Sequence, residues 1–275
     1  MSNRINAKFQ ALKQQGRAAL VTFISAGDPD LETSAQLLHM LPKAGADIIE
    51  LGMPFSDPMA DGPAVQASSE RALKAGASLA KTLDMVQKFR QSDQETPIIL
   101  MGYYNPIYAY GVAPFLERAQ AVGVDGFIVV DLSTESDHEF CLPALDKGLS
   151  FIRLAAPTTN DQRLPSVIKN TSGFVYFVSI AGITGTKSAN QQEVAGHIAR
   201  IRKLTDLPVA VGFGIKTPEQ AASFAQVGDA VVVGSAIVDM VKASLDQDMK
   251  AQPQLVTRVQ ELVQALSTAV ASVKK

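Results

Sequence analysis

Short, uninterrupted apolar runs alternate with longer amphipathic stretches from one end of the chain to the other. The runs predict strands at Leu20–Ser25, Asp47–Leu51, Ile98–Met101, Gly126–Val130, Phe151–Leu154, Phe174–Val178, Val209–Gly212 and Ala230–Val233. Each is rich in Val, Ile, Leu or Phe with little polar alternation. Strands buried on both faces look like this, and parallel sheets bury both faces. Between the runs, the spacing predicts helices over Asp30–Pro42, Val112–Val122, Glu135–Lys147, Asn160–Lys169, Asn190–Leu204 and Pro218–Gln226. Asp30 reads as an N-cap, and Thr217 before Pro218 fits an N-cap followed by proline at the first helical position. Gly45, Gly123, Gly148 and Gly228 sit just past helix ends, where a left-handed residue is wanted. Repeated strand–helix units imply right-handed crossovers and a parallel sheet. Eight such units fit a closed α/β barrel of the (β/α)8 TIM type. Pattern alone also allows an open doubly wound sheet. Arg4–Gln15 and Gln254–Val270 read as extra N-terminal and C-terminal helices outside the repeat.

Composition narrows this picture without changing it. The chain has 275 residues with no low-complexity linker or charge block, so residues 1–275 read as one domain. One α/β barrel typically takes about 250 residues. The chain is 47% hydrophobic and 19% charged, the profile of a globular protein. A formal net charge of −2 gives no electrostatic reason to expect nucleic acid or an anionic membrane as partner. The single cysteine, Cys141, excludes an intrachain disulfide and suits a reducing cytoplasm. Met1–Gln15 lacks the apolar core of a secretion signal. No apolar run approaches the roughly 20 residues of a membrane span. The longest, Ala230–Val238, is broken by Gly234 and Ser235.

In a parallel barrel the working face is where strands end and helix-bound loops begin. The second predicted strand carries Glu50 among apolar residues. If Ile49 and Leu51 face the helices, Glu50 points into the barrel mouth. There desolvation would raise its pKa and suit it to proton transfer near neutrality. The alternative is a glutamate held by a basic neighbour or by loop amides. The loop that follows, Gly52 to Pro63, is dense in Pro, Asp and Gly and carries Asp57 and Asp61. Prolines limit the shapes it can take, although Asp-Pro and Asp-Gly are also ordinary turn pairs. Late in the chain, Gly212-Phe213-Gly214-Ile215 follows the seventh strand, and Gly234-Ser235-Ala236 follows the eighth and opens a helix. Barrels often hold a phosphate after these two strands, on backbone amides and a helix N-terminus. A third glycine loop, Ala181 to Lys187, could complete the anion site or act as a lid.

Other catalysts are missing from the expected places. His39, His138 and His197 fall in predicted helices, which argues against a histidine metal site. Cys141 falls mid-helix and reads as a structural residue. No predicted strand contains a lysine, which argues against a Schiff-base aldolase. The residues thus describe a phosphate-binding barrel with carboxylate acid–base chemistry.

The stretch Ile49-Glu50-Leu51-Gly52 through Pro54-Phe55-Ser56-Asp57-Pro58-Met59-Ala60-Asp61-Gly62-Pro63 closely resembles the signature of tryptophan synthase alpha subunits. The resemblance continues through Met101-Gly102-Tyr103-Tyr104-Asn105-Pro106, Gly123-Val124-Asp125-Gly126, Val178-Ser179, Gly182-Ile183-Thr184-Gly185, Gly212-Phe213-Gly214-Ile215 and Gly234-Ser235-Ala236-Ile237-Val238. One departure is Asp131-Leu132-Ser133-Thr134-Glu135, where the family usually has proline after Asp-Leu. The resemblance implies a lyase that splits indole-3-glycerol phosphate into indole and glyceraldehyde 3-phosphate by a retro-aldol step, without metal or cofactor of its own. It implies Glu50 as catalytic acid/base and Asp61 as the carboxylate on the indole N–H. Phe23, Met101, Tyr176 and Phe213 match positions lining the indole pocket. Leu154 also matches one, but reads more simply as core. Gly185, Gly214, Gly234 and Ser235 match the phosphate cradle, and Thr184 the lid residue that closes against Asp61. The resemblance also implies a pyridoxal-phosphate beta subunit as partner in an alpha2beta2 complex, met around Pro54 and Asp57. Two other readings compete with it. A pentose-phosphate epimerase would need histidine metal ligands at strand ends. A barrel that only binds a phosphorylated ligand or scaffolds a partner would have no need of Glu50 and Asp61.

Overall fold

A computed structural model of the chain describes residues 4–179, 191–212 and 214–275. Within them the strands are β1 (Ala19–Ser25), β2 (Ile48–Gly52), β3 (Ile98–Gly102), β4 (Gly126–Val129), β5 (Ser150–Phe151), β6 (Arg153–Ala155), β7 (Val175–Val178), β8 (Val209–Gly212) and β9 (Ala230–Val233). Neighbours pair in parallel in the order β5-β4-β3-β2-β1-β9-β8-β7-β6. The two ends of that order, β5 and β6, are halves of one segment broken only at Ile152. The sheet therefore meets itself and closes as a barrel, which removes the open-sheet alternative. The predicted fifth strand, Phe151–Leu154, is this broken segment.

The helices are α1 (Arg4–Gln15), α2 (Leu31–Met40), α3 (Pro63–Lys74), α4 (Leu79–Arg90), α5 (Tyr104–Tyr110), α6 (Val112–Val122), α7 (Cys141–Asp146), α8 (Leu164–Lys169), α9 (Gln191–Arg202), α10 (Pro218–Ala225), α11 (Ser235–Ala243) and α12 (Leu255–Ala271). Side-chain alternation along the strands divides the core in two. Leu20, Ile49, Leu51, Leu100 and Val211 face outward and pack with the helices through Phe89, Phe115, Ile237 and Val263. Val21, Ile48, Ile99, Ile128, Ile152 and Val232 face inward and fill the barrel. Helix α1 stoppers this inner core with Ile5, Phe9 and Leu12, and the Phe9 and Phe174 rings lie 5.7 Å apart. At the end of the barrel where the strands begin, Asp125 accepts bonds from Arg90 at 2.7 Å, Arg4 at 2.9 Å and the Ile98 amide at 2.8 Å. That end is locked by structure, which leaves the opposite end for chemistry.

Several predicted helices change bounds for local reasons. Glu135–Lys147 resolves into a short 3-10 turn at Thr134–Ser136 and then α7. Pro143 lies in the first turn of α7, where its missing N–H costs nothing, and this fixes the start of the helix nearby. His138 accordingly lies in a turn, and Cys141 opens α7 instead of sitting in the middle of a helix. Asn160–Lys169 begins only at Leu164, because the Asn160 side chain turns back to accept from the Arg163 amide at 2.9 Å. Gly45, Gly123 and Gly148 take positive φ, but Gly228 does not. It is needed for space: a Cβ there would sit 2.7 Å from a Val211 methyl.

Candidate active site

Along β2 the inward positions are Ile48, Glu50 and Gly52, in rising order toward the mouth where the strands end. Glu50 pairs in register with Phe23 of β1 and Ile99 of β3. It is 1% exposed, and its Oε1 has no hydrogen-bond partner among the described residues. Burial alone pushes its pKa up to about 8. A carboxyl without a compensating cation stays neutral in such a place. Glu50 therefore carries a proton at neutral pH and has one oxygen unused by the fold.

One layer above Glu50, Gly52 forms part of the wall of a pocket at the barrel mouth. The wall also includes Phe23, Ser25, Met53, Asp61, Val65, Ser69, Met101, Gly102, Tyr103 and Val130. Apolar walls with a few convergent polar groups are the usual makeup of a small-molecule site. The Phe23 ring lies so close over Gly52 that a Cβ on residue 52 would fall 2.7 Å from it. Gly212 makes the same allowance for Tyr176, whose hydroxyl would lie 2.2 Å from an added Cβ. Both glycines thus leave room for aromatic rings inside the barrel.

The loop from β2 to α3 delivers the second carboxylate. It is anchored at its far end, where Asp28 binds Ser68 at 2.6 Å and Arg71 at 2.7 Å, both on α3. The Gln66 side chain donates from Nε2 to the Asp61 backbone carbonyl at 2.7 Å. Tyr103, directly after β3, accepts from the Ala60 amide at 3.0 Å. Partial burial raises the Asp61 pKa to about 6, against the lowering effect of a hydrogen bond from Tyr103. Asp61 is therefore mostly ionised at pH 7 while Glu50 is mostly neutral. Two carboxyls on one strand–loop unit, pushed to opposite protonation states, are suited to acid and anion roles in one reaction.

Of the residues singled out in the sequence, Phe23, Met101 and Asp61 meet around one pocket, and Glu50 lies in the layer beneath it. Tyr176 is buried in the inner core, 4% exposed, and Leu154 packs against that core. Gly234 and Ser235 stand where β9 passes into α11, and Gly214 follows β8 with φ 78°. Thr184, Gly185 and Phe213 lie outside the described residues. Pro54 is buried, so the exposed surface of its loop falls instead on Ser56, Asp57, Met59 and Ala60. Met59 is 79% exposed, unusual for a large apolar side chain. Cys141 is fully buried, and burial pushes its thiol up to about 11, so it is inert. Among the described residues no group of three or more His, Cys, Asp or Glu side chains is placed to hold a metal ion. Among the same residues no helix is long and apolar enough to cross a membrane.

Sequence reasoning missed Tyr103, Ser25 and Ser69 as pocket residues. Tyr103 was findable, since it follows the third strand on the working face. Ser69 was not, because its approach depends on how α3 packs.

Comparison with known proteins agrees with this fold. Residues 9–270 match the model of the family described as tryptophan synthase alpha chain. Tryptophan synthase subunit alpha of Legionella pneumophila is 37% identical, with a TM-score of 0.90 over 99% of this chain and 100% of that one. Tryptophan synthase of Mycobacterium tuberculosis is 31% identical, with a TM-score of 0.88 over 98% of this chain and 99% of that one. The same mycobacterial enzyme has also been solved in an aminoacrylate-bound form.

Proposed function

The chain belongs to the tryptophan synthase alpha chain family, lyases that act on indole-3-glycerol phosphate in tryptophan biosynthesis, and from that premise we propose how its own residues divide the reaction. Neutral Glu50 gives its proton to the indole ring carbon that bears the glycerol phosphate chain. Positive charge then develops on the ring nitrogen, and the Asp61 anion facing the N–H stabilises it. The carboxylate left on Glu50 takes the proton of the adjacent side-chain hydroxyl. The carbon–carbon bond breaks, its electrons restore the aromatic ring, and indole and glyceraldehyde 3-phosphate leave. One proton leaves Glu50 and one returns to it, so the enzyme ends as it began.

Phe23 and Met101 would clasp the flat ring, with Tyr176 below. The amides around Gly214, Gly234 and Ser235, at the start of α11, would hold the phosphate. Gly185, Thr184 and Phe213 are assigned to phosphate, lid and ring by the family pattern alone. Alpha chains of this family do not themselves bind pyridoxal phosphate. The partner proposed here is a beta subunit carrying that cofactor, meeting this chain through exposed Asp57 and Met59 in an alpha2beta2 complex and receiving its indole. A cytoplasmic location fits that pathway.

The observation that carries the reading is a buried Glu50 with an unpartnered oxygen one layer beneath the pocket that half-buried Asp61 lines. A crystal structure of Glu50→Gln with indole-3-glycerol phosphate bound tests it. The ring N–H should meet Asp61, and the substituted ring carbon should face residue 50. A substrate bound with its ring away from both residues would refute the assignment.

A further inference from the structure

Tyr103 has no part in the reaction just described, yet it touches the loop that carries Asp61 at two places. The residue is 3% exposed, and its ring lies 5.6 Å from the ring of Phe55, near the start of the loop. Its hydroxyl accepts the amide N–H of Ala60 at 3.0 Å, near the end. The same hydroxyl is within hydrogen-bonding reach of the Asp61 carboxylate, and both side chains line the same pocket.

These contacts fix the direction of the hydrogen bonds. A phenol has a single proton to give. Its oxygen already accepts from Ala60, so the proton is free for Asp61, and the chain runs from amide to hydroxyl to carboxylate. Such chains strengthen each member. We propose that Tyr103 is a positioning residue: it ties the Asp61 loop to the end of β3 and clamps one face of the Asp61 carboxylate, leaving the other for the substrate N–H. This rests on the role given to Asp61 above. Burial and the nearby carboxylates of Asp61 and Asp131 raise the pKa of Tyr103 further, so it stays a donor throughout the working range. Those two acids are the charged groups that bear on its hydroxyl.

A loop staple and a carboxylate clamp predict different results for Tyr103→Phe, which keeps the ring and its packing against Phe55. If the hydroxyl clamps Asp61, losing the bond that favours the ionised form moves the Asp61 titration upward. The acidic limb of the kcat/KM profile should move with it. One charge-assisted hydrogen bond corresponds to a displacement of about one pH unit and a roughly tenfold fall in kcat, with KM changing less. Replacing Tyr103 with 3,5-difluorotyrosine makes the phenol a stronger donor in the same fold and should move the limb the other way. Carboxyl carbon NMR of Asp61 reads the titration without needing turnover. If the native chain released no indole while Asp61 still shifted in Tyr103→Phe, the clamp would stand and the functional reading would fall. An Asp61 titration identical in both chains, even with a slower Tyr103→Phe enzyme, would overturn the clamp and leave Tyr103 a staple.

Discussion

If Glu50 is neutral because it is buried without a partner, it should destabilise the fold as pH rises, and Glu50→Gln should remove that penalty. The carboxyl titrates near 4.5 when exposed and near 8 in the folded chain. Below pH 4.5 both states hold the proton, so there is no cost. Between 4.5 and 8 the unfolded chain releases the proton while the folded chain keeps it. Stability then falls by about 1.4 kcal/mol per pH unit and levels off above 8. Integrating this from pH 5 to 7.5 gives a loss of about 3 kcal/mol from this one group. The glutamine side chain of Glu50→Gln has no proton to lose, so its own contribution is flat. Urea denaturation of the two chains, followed by far-UV circular dichroism at half-unit intervals from pH 5 to 7.5, measures the gap. Other titrating groups, Asp61 included, are shared by both chains and cancel in the difference. The stability of Glu50→Gln relative to the native chain should grow by about 3 kcal/mol across that range. A gap that stays constant with pH would mean that Glu50 is solvated or paired, and the argument for its acid role would fail.

The same two pKa values set the pH dependence of turnover. kcat/KM should rise as Asp61 ionises near pH 6 and fall as Glu50 loses its proton near pH 8; a profile flat from pH 5 to 9.5 would contradict the roles. Gly52→Ala would place a Cβ 2.7 Å from the Phe23 ring and push that ring into the pocket. It should lower kcat/KM roughly 10- to 100-fold, and adding Phe23→Leu should restore part of the loss in steady-state assays. Asp125→Ala would leave Arg90, itself 5% exposed, without its buried carboxylate. Denaturant midpoints should show a loss of about 3–5 kcal/mol, while activity per folded molecule stays near native.

The strands were legible because burial on both faces leaves an uninterrupted apolar signature, and the inward aim of Glu50 followed from the parity of Ile49 and Leu51. Closure of the barrel was not legible from the pattern alone, because it depends on β1 pairing with β9 across most of the chain. Helices α3, α4 and α5 escaped notice. The first of these starts at Pro63, inside a stretch whose Pro, Asp and Gly content speaks of loop. The long helix over Glu135–Lys147 was overdrawn because apolar spacing hid the turn before Pro143. Asp61 was visible as a loop carboxylate, but its tie to Tyr103 comes from a residue more than 40 positions on, and its raised pKa from burial that only the folded loop supplies. Local packing buries Pro54, which the position of a proline in a loop motif does not reveal.

Indole release from indole-3-glycerol phosphate, measured for the native chain, Glu50→Gln and Asp61→Asn beside a tryptophan synthase beta subunit, tests the central claim most directly. The native chain should release indole, faster with the partner than alone, and each variant should lose on the order of 10²–10⁴ in rate while keeping its fold. A native chain that makes no indole beside a competent partner, or a Glu50→Gln chain that keeps the native rate, would contradict the account.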